Sequence, residues 1–297
     1  MFRIARLLIL QMCLEYGYNE PACRMASKRW NALDNTLKSI DVLHFFYYSA
    51  LVYLKARNYL HARSALVKVL SVPGSAISVV QATALRKLCI VDLIMFGEVR
   101  PLPSWLPKSN PLLDRLLDGV RGANRLHDSE NDFSPEKSVT RSSRSTTVPS
   151  DAFEIANPEV SCPSHLRDVV RVFTDPNASI SGLVTCLGKF EQQLRISKDW
   201  GLACRLVVAK QSHLLLKISN VFERVPLKYI KENCECSSEK ELHDVLDFFN
   251  HMSCITGIVV RRKDEELFEF NISTDGTNDQ FDSLRREIGY LKSIQTL

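Results

Sequence analysis

Apolar side chains recur at three- and four-residue intervals along most of this 297-residue chain, without the two-residue alternation that would mark a large sheet. A helix buries one stripe and a sheet buries one face, so the pattern directs the chain toward helices packed on helices. Phe45, Phe46, Ala50, Tyr53 and Leu54 share one face of a predicted helix. Ala62, Ala65, Leu66 and Val69 share one face of the next, with Asn58 near the turn between them. This is a helical hairpin. The small residues Ala62 and Ala65 allow close approach, and Tyr47, Tyr48 and Tyr53 are expected to supply the bulk opposite them. Pro73-Gly74 then breaks the chain, and a helix is predicted from about Ile77 to Phe96, with Val80, Ala84, Leu88, Val91 and Met95 on one face. The hairpin repeats with the pitch of stacked helix pairs, roughly 34 residues. One pair cannot bury its apolar face alone, so a short solenoid is expected, with an ordinary helical bundle as the alternative.

Hydrophobic residues make up 45% and charged residues 24%, which suits a globular chain and excludes disorder of the whole. The length accommodates two folding units. A net charge of +4 is too small to point to a polyanionic partner by itself. Between His127 and Asp151 the composition shifts to Ser and Thr with a single aromatic residue, too little apolar surface to offset the entropy of ordering. Within that stretch Arg141-Ser142-Ser143-Arg144-Ser145 reads as an ordinary solvated run. The expected organisation is a helical-repeat array over 1–126, a Ser/Thr-rich linker over 127–160, a second domain over 161–272 and a tail helix over 273–297. Nine scattered cysteines without C-x-x-C spacing fit a reducing compartment. Phe2 to Leu14 reads as an amphipathic helix rather than a secretory signal, because its apolar run is short and flanked by Arg6, Gln11 and Glu15. No run of about 18 apolar residues appears, so a soluble protein of cytoplasm or nucleus is expected.

After Pro163, helices are predicted through Leu166 to Phe173, Ile180 to Leu194 and about Trp200 to Val221, with Pro226 ending the last. Leu227 to Asn233 makes a short helix, and Ser238 with Glu241 has capping-box spacing at the start of another. That helix sets Leu242, Val245, Leu246, Phe249 and Met252 on one stripe and is expected to close at Gly257. Ile258 to Arg262 and Leu267 to Asn271, joined at Lys263-Asp264-Glu265, read as a β-hairpin. Three helices followed by a two-stranded wing is the winged-helix order, here expected at about 210–272 behind helices that begin at 161.

Charge decides what such a module touches. Its would-be reading helix carries Glu239, Glu241, Asp244 and Asp247 against Lys240, and phosphates repel that balance. Of the residue types that read base edges only Lys240 and Asn250 are present there, so nucleic acid is disfavoured and protein contact favoured. The candidate interface residues of the module are Leu242, Leu246, Phe249, Ile258 and Val260. In the tail, Phe281, Leu284, Ile288 and Leu291 form a narrow apolar seam, with Arg285, Arg286, Glu287 and Lys292 off it. A lone helix this short is marginal in water, which points to partner helices; a tail folded onto its own winged helix is the alternative.

Catalytic constellations do not emerge. The seven histidines form no H-x-H or H-E-x-x-H pattern, and G-x-S-x-G, G-x-x-x-x-G-K-[ST] and G-x-G-x-x-G do not occur. Cys234-x-Cys236 is spaced too closely for a usual zinc pair and reads as two ordinary thiols. No catalytic residue, metal or cofactor is expected.

Helical repeats that run into a winged helix resemble the PCI family, whose members build the proteasome lid, the COP-nine signalosome and a translation initiation complex. Within it, Phe46 to Tyr53, Asn58-Tyr59 with Ala62, and Leu85 to Leu88 through Leu93-Ile94 to Gly97-Glu98-Val99-Arg100-Pro101-Leu102-Pro103 look like a signalosome member. Residues 164 to 272 are similar more loosely, chiefly at Asp199-Trp200-Gly201-Leu202, the capped helix and the wing. The likeness departs where N-terminal repeats are shorter and the Ser-rich insertion replaces helix. The resemblance implies a non-catalytic framework subunit, with other signalosome subunits as partners through winged helix and tail. It links the chain indirectly to cullin-RING ligases, from whose cullins the complex removes a ubiquitin-like modifier. A proteasome-lid subunit, or a winged-helix protein of mRNA export or translation initiation, shares the architecture.

Overall fold

The computed structural model describes residues 2–27, 39–72, 78–103, 164–252, 255–262 and 265–272. The Ser/Thr-rich insertion, the Pro73-Gly74 break and the tail seam lie outside these residues. Contacts divide the chain into two units: Met1–Asp92 with Glu98–Thr174, and Leu93–Gly97 with Asp175–Leu297.

The first unit contains α1 (Phe2–Tyr16), α2 (Asn19–Ser27), α3 (Ser39–Lys55), α4 (Tyr59–Ser71), α5 (Val79–Phe96, up to Asp92) and α6 (Ser164–Thr174). The expected hairpin is α3 with α4. Its turn needs one left-handed residue, Arg57 at φ 58°. Asn58 then caps α4, its side-chain oxygen accepting the His61 N–H at 3.2 Å. Ala62 and Ala65 are buried, as close packing requires. The helix α3 is covered on more than one side, because α1 and α2 pack on it as well as α4. Its buried set is therefore wider than one stripe and includes Leu43, Ser49 and Val52. Leu10, Cys13, Ala22, Phe45 and Val52 form one core with Phe46 and Tyr48 against it. Tyr48 thus belongs to the α1–α2 side rather than opposite Ala62 and Ala65, whereas Tyr53 does meet an α4 ring, that of His61 at 5.3 Å.

A reciprocal cap opens α5: the Ser78 N–H donates to Gln81 Oε1 at 3.0 Å and the Gln81 N–H to Ser78 Oγ at 3.1 Å. The buried Gln81 amide also donates to the Val72 carbonyl at 3.0 Å, tying α5 to the end of α4. A second tie is ionic. Asp92, 1% exposed, accepts from Arg63 Nε of α4 at 2.6 Å and from the Arg100 N–H at 3.1 Å. Burial pushes the Asp92 carboxyl up from its ordinary value, and Arg63 and Arg100 pull it back. Beyond the insertion, α6 buries Leu166, Val169, Val170 and Phe173 at helical spacing.

The second unit begins with α7 (Ile180–Lys189), α8 (Glu191–Ile196), α9 (Trp200–Ala203) and α10 (Arg205–Ser219). The predicted runs Ile180–Leu194 and Trp200–Val221 are therefore interrupted, at Phe190 and Cys204. Then follow β1 (Arg224–Pro226), α11 (Leu227–Asn233), α12 (Glu239–Met252), β2 (Ile255–Arg262) and β3 (Glu265–Ile272). Pro226 does not end α10, which stops at Ser219; it closes β1 and opens α11. The three strands lie antiparallel in the order β1-β3-β2, with Val225 opposite Phe268 and Val259 opposite Phe268 on the other side. Helix, strand, two helices and a hairpin complete the winged helix. Its core joins Leu215, Val225, Leu227, Ile230, Val245, Phe249 and Phe268.

The last turn of α5 counts with this unit. Gly97, at φ 79°, ends that helix, and Nε2 of the half-buried His213 lies 3.2 Å from the carbonyls of both Leu93 and Ile94. Burial pushes the His213 pKa below its ordinary value of 6.5.

Replacing Asp92 by Ala removes one member of a buried ion pair and should lower stability by about 3 kcal/mol, read from the urea unfolding midpoint. The depressed His213 predicts a pH effect of known sign. The unfolded chain takes up this proton near pH 6.5 and the folded chain only below it, so the contribution is complete above 6.5 and fades as pH falls. His213→Gln should flatten the loss of stability below pH 6.5, measured as urea midpoint against pH.

Candidate protein-interaction surface

The geometry of the winged helix is set where α10, α11 and α12 converge. Ser238 Oγ accepts the Glu241 N–H at 3.1 Å, and Glu241 answers by accepting the Ser237 N–H at 2.8 Å, one residue earlier than the usual reciprocal cap. The other Glu241 oxygen accepts from Gln211 of α10 at 3.0 Å, and the same buried amide donates to the Cys234 carbonyl at 3.1 Å. One glutamine thus fixes the start of α12 against α10. The neighbouring thiols are protonated at neutral pH: burial pushes Cys234 up to about 12, and burial with the nearby Glu241 pushes Cys236 up to about 11. Among the described residues no three His, Cys, Asp or Glu side chains gather as a metal site would require.

At the other end of α12, Asn250 acts as a short stretch of strand. Its Oδ1 accepts the Gly257 N–H at 2.7 Å, and its Nδ2 donates to the Gly257 carbonyl at 3.0 Å. Gly257 therefore lies inside β2 and does not close α12, which stops at Met252. A glycine is needed there because a Cβ would sit 2.2 Å from the Phe268 ring and 3.0 Å from the Glu269 carbonyl.

Asn250 occupies the side of β2 away from β3, so the backbone groups of Gly257 point outward. Strand geometry alternates, and those of Val259 and Arg261 point the same way. The open edge of the sheet is thus Val259 to Arg261. Side chains beside it are apolar: Ile258 is 55% and Val259 45% exposed, and Val260 is half-buried. An uncovered apolar edge strand is a template for another chain.

Of the residues expected at an interface, Ile258 and Val260 lie on this edge. Leu242, Leu246 and Phe249 do not face outward: they are buried in the module's own core, because the stripe of α12 is the face that α10, α11 and the sheet cover. Phe281, Leu284, Ile288 and Leu291 lie outside the described residues. The sequence reading missed Val259, whose exposure follows from its place on the outer strand. The solvent side of α12 presents Lys240, His243, Asp244, Asp247 and His251, and the Asn250 amide is engaged by Gly257. This face repels phosphate, and the Asn250 amide is held on Gly257 rather than turned toward a base edge.

Stacked helix pairs followed in one chain by a winged helix define a helical-repeat, winged-helix protein. Residues 6–109 match the family described as COP9 signalosome complex subunit 3, N-terminal helical repeats. The chain is also 31% identical over 102 residues to the COP9 signalosome complex subunit 3 of Dictyostelium discoideum, a match covering 34% of this chain and 24% of the relative. Both likenesses fall on the repeat segment, which is similar to subunit 3 of the COP9 signalosome there. The chain spans about a quarter of the length of the curated relative it matches. No helix among the described residues is long and apolar enough to cross a membrane.

Gly257→Ala should cost about 1–3 kcal/mol through overpacking against Phe268, a loss measurable as a lower urea midpoint.

Proposed function

We propose that this chain is a non-catalytic scaffold subunit of the COP9 signalosome, acting in cytoplasm and nucleus. In this reading it holds other signalosome subunits in place while the complex removes the ubiquitin-like modifier from cullins, and so bears on cullin-RING ubiquitin ligases. The observation that carries it is the combination, in one chain, of repeats matching subunit 3 over 6–109 with a winged helix whose outer strand is apolar and open. The match favours the signalosome over the proteasome lid, whose subunits share the architecture.

The contact is made by the β2 edge. Val259 and Arg261 supply backbone donors and acceptors to a strand or loop of a neighbouring subunit, and Ile258, Val259 and Val260 supply the apolar contact. Charge placed at the apolar positions of an edge strand opposes such pairing. The tail that carries the seam of Phe281, Leu284, Ile288 and Leu291 meets helices of neighbouring subunits in a bundle, through Ile288 and Leu291 at the least.

The double substitution Ile258→Lys and Val259→Lys changes two exposed residues and should leave the far-ultraviolet circular dichroism unchanged. Affinity purification of the tagged full chain from cells, followed by mass spectrometry, should recover the other signalosome subunits with the wild type and lose most of them with the variant. Equal recovery would refute the edge contact. Proteasome ATPases in place of signalosome subunits would refute the assignment.

A further inference from the structure

At the β1 side of the sheet a second apolar patch is uncovered. Val221, Phe222 and Tyr229 are 72%, 44% and 41% exposed, and the rings of Phe222 and Tyr229 meet edge to face at 6.1 Å. The path of β3 bears on what covers it. Glu269 lies opposite Arg224, and the Phe270 N–H donates to the Glu223 carbonyl at 2.9 Å. β3 has two further residues, Asn271 and Ile272, beyond this bond to Glu223, the neighbour of Phe222 in sequence. The chain therefore leaves the described sheet beside this patch.

Eight polar and small residues follow, Ser273 to Gln280, with Gly276 among them to permit a reversal. They reach at most about 28 Å, ample for a return to a patch next to their point of departure. Next comes the seam that begins with Phe281 and Leu284. A tether this short gives the seam an effective concentration of order mM at the patch, which favours the chain's own tail over a separate partner.

We propose that Phe281 and Leu284 seat on Val221, Phe222 and Tyr229 of the same chain, anchoring the tail to its own winged helix and leaving Ile288 and Leu291 free for other helices. The anchor does not depend on which assembly the tail then joins. It also supplies the tertiary contact that a short helix lacks in isolation.

Hydrogen exchange of the full chain, followed by mass spectrometry, tests it. The variant Phe222→Ser with Tyr229→Ser alters exposed side chains, so the winged helix should keep its own slow amides. Peptides covering 281–291 should exchange at least severalfold faster in this variant than in the wild type. Phe281→Ser with Leu284→Ser should speed exchange over 219–223 in turn. Equal tail exchange in wild type and variant would overturn the proposal. So would a wild-type tail that becomes protected only when purified signalosome subunits are added, a result that leaves the scaffold reading intact. A protected, patch-dependent tail on a chain that recovers no signalosome subunits would support the anchor and sink the scaffold reading instead.

Discussion

The ring of Phe268 fills the space that any side chain at position 257 would need, and the shape of the winged-helix module follows from that contact. Because β2 can come so close to Phe268, the ring is enclosed between the strand and α12, where Phe249 and Phe270 meet it at 6.4 and 5.1 Å in edge-to-face geometry. Aromatic edges and faces carry opposite partial charge, so the arrangement adds direction to what would otherwise be unspecific burial. The same approach brings Gly257 within reach of Asn250, whose amide closes the outer side of the strand there and leaves it open from Val259 onward. A closely packed interior and a limited, defined open edge thus have one cause.

The helical-repeat unit is organised differently. Its core mixes aliphatic side chains with Phe45, Tyr53 and Tyr59, and precision comes from polar groups buried beside them. Asp92 joins α4 to α5 and to the Arg100 backbone, and Gln81 joins the start of α5 to the end of α4. Neither is a cheap contact, since a buried carboxylate loses its hydration and the effect on Asp92 is visible as an upward shift of its pKa. Apolar residues at those two positions would pack as tightly but would tolerate neighbouring registers of α5 on α4. Hydrogen-bond geometry does not.

Much of this was legible in the sequence, for identifiable reasons. The α3–α4 hairpin showed itself through Ala62, Ala65 and the cap at Asn58, all local signals. The capped start of α12 and the wing were visible for the same reason. What was not legible involved partners distant in sequence. The stripe of Leu242, Leu246 and Phe249 looked like surface for another chain because β1, only three residues long, was not foreseen, and with it the third strand of the sheet that helps to cover the stripe. Gly257 looked like a helix stop because glycine is a common one; its real constraint is Phe268, eleven positions on. Tyr48 was assigned to the wrong neighbour because one stripe implies one partner, and α3 has several. Cys204 and Phe190 interrupt helices in the structure although neither is itself a breaker residue; Gly201 and Gly188 lie within three positions of them.

The weight placed on protein rather than nucleic-acid contact rests on how α12 uses its side chains. A reading helix must present donors and acceptors that are fixed in direction yet free of partners within the protein. In α12 the polar groups that are fixed, Glu241 and Asn250, are fixed by being bound to Gln211, the Ser237 backbone and Gly257. The exposed ones, Asp244 and Asp247, carry the wrong charge for a phosphate backbone. The helix is therefore built to support the sheet, and β2 offers an open edge beside it. An edge of three residues with apolar flanks offers few hydrogen bonds, so its specificity has to come from the shape of the neighbour and from contacts made elsewhere along the chain. The proposed scaffold role has the same requirement, several points of attachment of which none is sufficient alone.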